Sequence, residues 1–318
     1  MHKHEHEDRL NNIPRDIFRC TRRGLRLFVL ALALAGSFSD AAVAQTKKIL
    51  FLAGPKDHGA PGRHEYERDL KTLAHSFDNA SNLSGVTTQL IVGRIPKDLA
   101  AMQDAAVIVI NSRSERSEKE THPLFPPDPS TNHRGYDPET TAYLKALEDL
   151  IKEKKIGVVI LHYALWAENW RARELYMNWT GGLWVQIGSK NPVDEWTMSP
   201  RNDRHPVLRG VEPWTYRDEI FCRFLLPNDP RRTDLILATP KQDSAGIGPQ
   251  IASWAYERDD GGRSFVFGGV DFRDNLALED YRRFLLNGIA WAAHIEIPRG
   301  GIQSPTPDVS DVSPSRTP

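Results

Sequence analysis

Cysteine is almost missing from this chain: two in 318 residues, Cys20 and Cys222. With Cys20 inside the leader argued below, no internal disulfide is available and the fold must rest on its apolar core. A surplus of either charge is missing too. The chain has 41 basic and 42 acidic side chains, and 34 against 37 remain after residue 44. That balance predicts no attraction to nucleic acid or to an anionic membrane. The apolar run from Leu27 to Ala35 covers only nine residues, too few to cross a bilayer comfortably. There is no internal repeat, no H-E-x-x-H and no G-x-S-x-G.

What is present begins with a leader pattern. The basic cluster Arg19, Arg22, Arg23 and Arg26 precedes the short apolar run, and Ala42-Val43-Ala44 follows. This order predicts a cleavable signal peptide over residues 1–44, cut after Ala44, and a periplasmic or secreted chain with no stable membrane insertion. An uncleaved anchor is the rival reading, and Arg22-Arg23 leaves Sec and twin-arginine export both open. His2, His4 and His6 would leave with the leader.

After Gln45, short apolar runs alternate with helical periodicity. Strands are expected at 48–53, 86–92, 105–110 and 157–161, and again at 193–198, 235–238, 251–256 and 264–267. Helices are expected at 64–79, from Asp137-Pro138-Glu139 onward, over the tryptophan-rich segment ending at Gly181-Gly182, and at 279–293. The alternation predicts an α/β fold: a mostly parallel sheet between helical layers, with an added antiparallel portion. One domain is expected over residues 45–298, followed by a disordered Pro/Ser/Thr-rich tail over 299–318.

In such a sheet, ligands gather beyond the carboxyl ends of the strands. His58, His64 and Glu65 follow the first strand; Ser112 and Arg113 follow the third; His162 and Tyr163 follow the fourth; Asp271 follows the last. His58 and His64 read either as metal ligands, since imidazole suits zinc and similar ions, or as a solvated loop and a helix start. His162 reads as ligand, general base or bonded core residue. Asp218 and Glu219 sit in an irregular polar segment as acid, base or ligand, or simply as solvated neighbours. His122 and His133 belong to a long loop. Ser112 lacks a glycine elbow for a nucleophile, and Cys222 has an apolar surround that suits an inert thiol. Trp166, Trp170 and Trp254 are candidates to stack on a sugar, against the reading that they are core.

Six pieces in order resemble the ThuA-like family, named for trehalose utilisation. They are AGPKDHG…HEYERDL, ILHYALW, NWTGGLW, RHPVLRGVEPWTYRDEIF, ASWAYERDDGGRSFVFGG and FLLNGIAWAAHIEIP, spanning residues 47–298. The resemblance implies a flavodoxin-like sandwich related to class I glutamine amidotransferases, with His162-Tyr163 standing where those enzymes place their catalytic cysteine. It implies sugar metabolism, with a small carbohydrate as the partner and a divalent metal, zinc first, as the cofactor. By position it implicates His58, His64, Glu65, His162, His205, Asp218 and Glu219. Relatives with a Gly-Gly-His-x-His run differ from Gly269-Val270-Asp271-Phe272-Arg273 here, where Asp271 can replace a ligand and Arg273 cannot. Together these readings assign His162, Glu65, Asp218 and Glu219 to catalysis. Ser112, Arg113, Tyr163, Trp166 and Trp254 fall to substrate, and His58, His64, His162 and Asp271 to a metal. The expected function is an exported sugar-active hydrolase or lyase acting on a disaccharide or keto-sugar; the alternative is a carbohydrate-binding module. No signal for an oligomeric state is present.

Overall fold

The computed structural model of the chain describes residues 46–115, 120–127, 136–202 and 204–309. Its first strand, β1 (Lys47–Ala53), shows why the early apolar runs are continuous. Ile49, Phe51 and Ala53 join one core, while Leu50 and Leu52 join another on the opposite face. Successive side chains of a strand point to opposite faces, so a strand covered on both must be apolar throughout. The same holds for β3 (Ala105–Asn111) and β4 (Gly157–Leu161).

Helix α1 (Tyr66–Asp78) buries one stripe in the first core, and α4 (Glu279–Ala292) is buried there nearly all round, continuously from Phe284 to Ala292. Helices α2 (Pro138–Glu153) and α3 (Trp170–Thr180) do so in the second. Asp137 caps α2, accepting a hydrogen bond from the Thr140 backbone N–H, with Pro138 at the first turn. Gly181, at φ +67°, ends α3 in the left-handed region that glycine enters without strain.

The remaining strands are β2 (Val86–Val92), β5 (Val193–Pro200), β6 (Trp214–Glu219), β7 (Arg232–Pro240), β8 (Gln250–Glu257) and β9 (Arg263–Phe267). They form one nine-stranded sheet in the order β2-β1-β3-β4-β9-β8-β7-β5-β6. Pairings from β2 through β9 are parallel, and those from β9 through β6 are antiparallel. The chain is thus a three-layer α/β sandwich with a parallel core and an antiparallel extension.

Two expectations need correction. Asp218 and Glu219 are not in an irregular segment but close β6, an edge strand alternating Trp214, Tyr216 and Asp218 inward with Thr215, Arg217 and Glu219 outward. Nor are residues 299–309 a disordered tail. Ile302 is buried and its N–H donates to Asn287 Oδ1 at 3.0 Å, while Arg282 Nε donates to Ser304 Oγ at 2.9 Å. The leader, with its cleavage site, and residues 310–318 lie outside the described residues, as does His133. No helix among the described residues is long and apolar enough to cross a membrane.

Candidate functional site

The carboxyl ends of β1, β4, β6 and β9 deliver four side chains to one point. His64, His162, Glu219 and Asp271 each offer a ligand-type atom, and these atoms lie within 4.8 Å of one another. His162 follows β4 directly, at φ +51°. Its Nδ1 lies 3.1 Å from the Gly268 carbonyl, so Nδ1 carries a proton and donates, and Nε2 is the nitrogen turned to the cluster. That Nε2 is 3.5 Å from Glu219 Oε2, too long for a good hydrogen bond, and it is buried with no hydrogen-bond partner. A side chain on Gly268 would meet the Phe221 carbonyl at 2.2 Å, so glycine here lets the Phe221 backbone pack directly on the end of β9.

His64 enters from the loop after β1, also at φ +51°, with its N–H donating to the Asp271 carbonyl at 3.2 Å. Its Nε2 stands 3.3 Å from Asp271 Oδ1 and 3.8 Å from Glu219 Oε2. Asp271 is fully buried and divides its oxygens. Oδ2 accepts from Arg63 Nε at 2.6 Å and pairs with Arg63 Nη2, while Oδ1 has no hydrogen-bond partner. Glu219 Oε1 accepts from Asn191 Nδ2 at 3.2 Å, and Oε2 faces the imidazoles.

The electrostatics follow from burial and from these neighbours. Burial, reinforced by His162 and His58, holds the His64 imidazole far below its ordinary value and therefore neutral. Burial also pulls His162 down, but the Glu219, Asp271 and Asp218 carboxylates outweigh it and leave it raised. Burial would raise Glu219, yet His162 and Arg63 outweigh it and leave it lowered. Asp218 lies behind the cluster and is pushed up to about 7 by burial and by Asp271. Its carboxyl accepts from the backbone N–H groups of Val270, Asp271 and Phe272 at 3.1–3.2 Å. Val270 sits at φ +89°, a strained position for a β-branched residue. Asp218 therefore positions the loop that carries Asp271, and is not a proton-transfer group facing the cleft.

Other candidates move as well. His58 is outside the four-atom cluster, and Glu219 stands where it was expected. The His58 ring stacks on His64 at 3.9 Å and His58 Nδ1 donates to Asp57 Oδ1 at 2.6 Å, making His58 cleft wall. Glu65 Oε1 accepts from Lys56 Nζ and the Gly62 N–H, closing its own loop rather than serving as a base. Ser112 is buried and its hydroxyl donates to the Arg113 carbonyl, so neither nucleophile nor substrate contact survives. Trp254 is core, with its indole N–H donating to the Thr180 carbonyl at 2.7 Å. Arg113 pairs with Asp57 at 3.0 Å, outside the cluster. His205 packs on Trp291, and Arg273 turns under α1 to Thr72 and Asp69. Cys222 is buried, and burial pushes its thiol up to about 12.

A cleft of about 520 Å³ opens over the cluster. Tyr163 and Trp166, both named above as candidates, line it. Trp184, Phe221, Lys190 and Asn191 also line it, none of which sequence spacing singled out. Asn191 pins Glu219 from a loop far away in sequence, so only the fold brings the two together.

Comparison with known proteins agrees with this architecture. The family model described as ThuA, trehalose utilisation, matches residues 130–292. No curated protein matches. A ThuA-like protein from Bacteroides uniformis ATCC 8492 superposes with a TM-score of 0.54 at 14% identity, over 81% of this chain and 95% of that one. A GMP synthase component from Thermoplasma acidophilum gives 0.39 at 10%, over 79% and 96%. A glutamine amidotransferase from Thermotoga maritima gives 0.37 at 8%, over 78% and 99%. The family match takes in β4 to β9 and all of α4, and with them His162, Glu219 and Asp271; the chain belongs to the ThuA, trehalose utilisation, family.

Proposed function

We propose that this chain is an exported sugar-active enzyme of the hydrolase or lyase type, centred on a divalent-metal site of His64, His162, Glu219 and Asp271. One observation carries the reading: His162 Nε2 and Asp271 Oδ1 are buried, lack hydrogen-bond partners and face the same small space. Buried polar atoms are normally paired, and each orphan costs roughly 1–3 kcal/mol. Two imidazoles with two carboxylates form a nitrogen–oxygen donor set that suits zinc or manganese. The hydrogen bond from His162 Nδ1 to Gly268, and the Arg63 clamp on Asp271 Oδ2, are outer contacts that orient such ligands.

An ion held by these residues would supply Lewis-acid chemistry, polarising a sugar carbonyl or activating a water. The protein's own part is positional and protolytic. Glu219, with 15% of its side chain exposed, is the most accessible member of the cluster; with His64, His162 and Asp271 left to hold the ion, it moves the proton at Oε2. Asp218 and Arg63 keep Asp271 in place, and the Tyr163–Trp166 wall holds a flat ring. No step passes through cysteine, because Cys222 donates its thiol to the Lys190 carbonyl away from the cluster.

Elemental analysis by mass spectrometry of the chain from Gln45 tests this, beside a His64→Ala/His162→Ala variant. Near-stoichiometric zinc or manganese, lost in the variant, is expected. A metal-free wild type after metal-supplemented growth overturns the metal site and leaves the carbohydrate-binding module, which the aromatic wall alone would serve. Export rests on the order of residues 1–44. N-terminal sequencing of periplasmic material should begin at Gln45, and an intact Met1 in the membrane fraction overturns it.

A further inference from the structure

The cleft has two chemically unlike halves. One holds the imidazoles and carboxylates. The other is a wall of Tyr163, Trp166, Trp184 and Phe221. Tyr163 and Trp166 stack with centroids 5.5 Å apart and planes 21° apart, and Trp184 meets Trp166 edge-on at 4.9 Å. His64 and Tyr163 have centroids 5.9 Å apart. The wall therefore begins about one ring from the cluster and extends one ring further.

The polar edges of that wall are already used. Trp166 Nε1 donates to Glu168 Oε1 at 2.6 Å, and Trp184 Nε1 to the Lys190 carbonyl at 3.1 Å. The Tyr163 hydroxyl is engaged by Arg113 and Ser114. Ser189 donates to the Arg223 carbonyl and Asn191 donates to Glu219. On the adjoining loop, Ile187 is 91% exposed. A second sugar lying there would find π-faces but, besides Lys190, few groups for its hydroxyls, whereas a flat aromatic ring needs none and gains stacking.

We propose that the site takes a glycoside of an aromatic alcohol, with the sugar over His64, His162, Glu219 and Asp271 and the aryl group against Tyr163 and Trp166. The proposal rests on the sugar-active reading above and names its substrate class. Recognition is split: the sugar is read by polar groups, and the aglycone by shape and stacking.

The test is calorimetry and saturation-transfer NMR on the chain from Gln45 with three probes. They are p-nitrophenyl D-glucopyranosides of both anomers, the matching methyl glucosides, and trehalose. At least tenfold tighter binding of a p-nitrophenyl glucoside than of its methyl counterpart is expected. Trp166→Ala should reduce the aryl glucoside to the methyl level, and Trp166→Phe should restore most of the difference. Trehalose or methyl glucoside binding as tightly as the aryl glucoside overturns the proposal, as does no binding of any probe. So does a Trp166→Phe variant, folded by circular dichroism, that behaves like Trp166→Ala. Metal content measured on the same samples separates the two readings. Metal-loaded protein with no aryl preference defeats this inference alone; metal-free protein that keeps the preference defeats the metal site alone.

Discussion

Two clefts of similar size among the described residues differ in what their polar atoms do. The larger, about 610 Å³, is lined by Lys152, Trp179, Arg231, Tyr256 and Arg258 near the amino-terminal end of β9. There the charges answer one another locally. Arg231 pairs with Asp229 at 2.7 Å and with Asp259, and lies over the Tyr256 ring. Arg258 bonds Asp260 and the Ile156 carbonyl. At the smaller cleft, over His64 and His162, buried ligand-type atoms remain without partners and two imidazoles sit at positive φ. Volume does not mark the candidate site, and neither does a single orphaned atom, since Trp179 Nε1 is one at the larger cleft; converging ligand-type atoms without partners and backbone strain do.

The comparison can be broken most directly at the cluster. Asp271→Asn or His162→Ala should weaken zinc binding by more than the roughly 10–100-fold that loss of an outer partner causes, whereas Arg231→Ala should leave it alone; titration calorimetry reads both. Equal effects from the two clefts would remove the distinction. Next in size is Asp218→Ala, which strips the acceptor from three backbone N–H groups around strained Val270. A loss of about 3 kcal/mol in urea unfolding is expected, at the scale of one or two buried unsatisfied donors.

A third prediction concerns acid. His122 is fully buried, and burial pulls it down to about 3. Its Nδ1 accepts from the Leu124 and Phe125 N–H groups and its Nε2 is 3.0 Å from the Tyr176 hydroxyl, so the native state holds it neutral. Unfolded, it takes a proton near pH 6.5. Between those values the unfolded chain binds more protons, so stability is full above about pH 6.5 and falls as pH drops, at about 1.4 kcal/mol per pH unit for one such group. His122→Asn should flatten the dependence of the urea midpoint between pH 6.5 and 5, and an unchanged slope would refute the assignment. The smallest effect belongs to the other cleft: Arg231→Ala should cost about 0–1 kcal/mol, as exposed ion pairs do.

Much of this could be read before the fold was known, and the failures share a cause. Buried parallel strands announce themselves because both faces must be apolar, and Asp137 and Gly181 carry cap chemistry in their identity. His64, His162 and Asp271 were legible as residues following strands. Strand β6 was not, because its inner face ends in a carboxylate that the backbone of another loop satisfies. Asp218 and Glu219 look equivalent as neighbours, yet a strand sends them to opposite faces, one to hold a loop and one to the cleft. Trp254 looked like Trp166 in composition. Its place on β8, covered by α3 and its C-terminal turn, makes it core.

The Asp218 anchor also bears on time. Three successive amides, from Val270 to Phe272, end on one buried carboxylate and lie against the closing strand of the parallel core. Such amides exchange with solvent only when a large part of the structure opens. The loop presenting Asp271 should thus belong to the slowest-exchanging part of the chain, as the core strands do. A ligand would then meet a site whose backbone already stands in its bound shape, and little ordering entropy would be charged to the encounter.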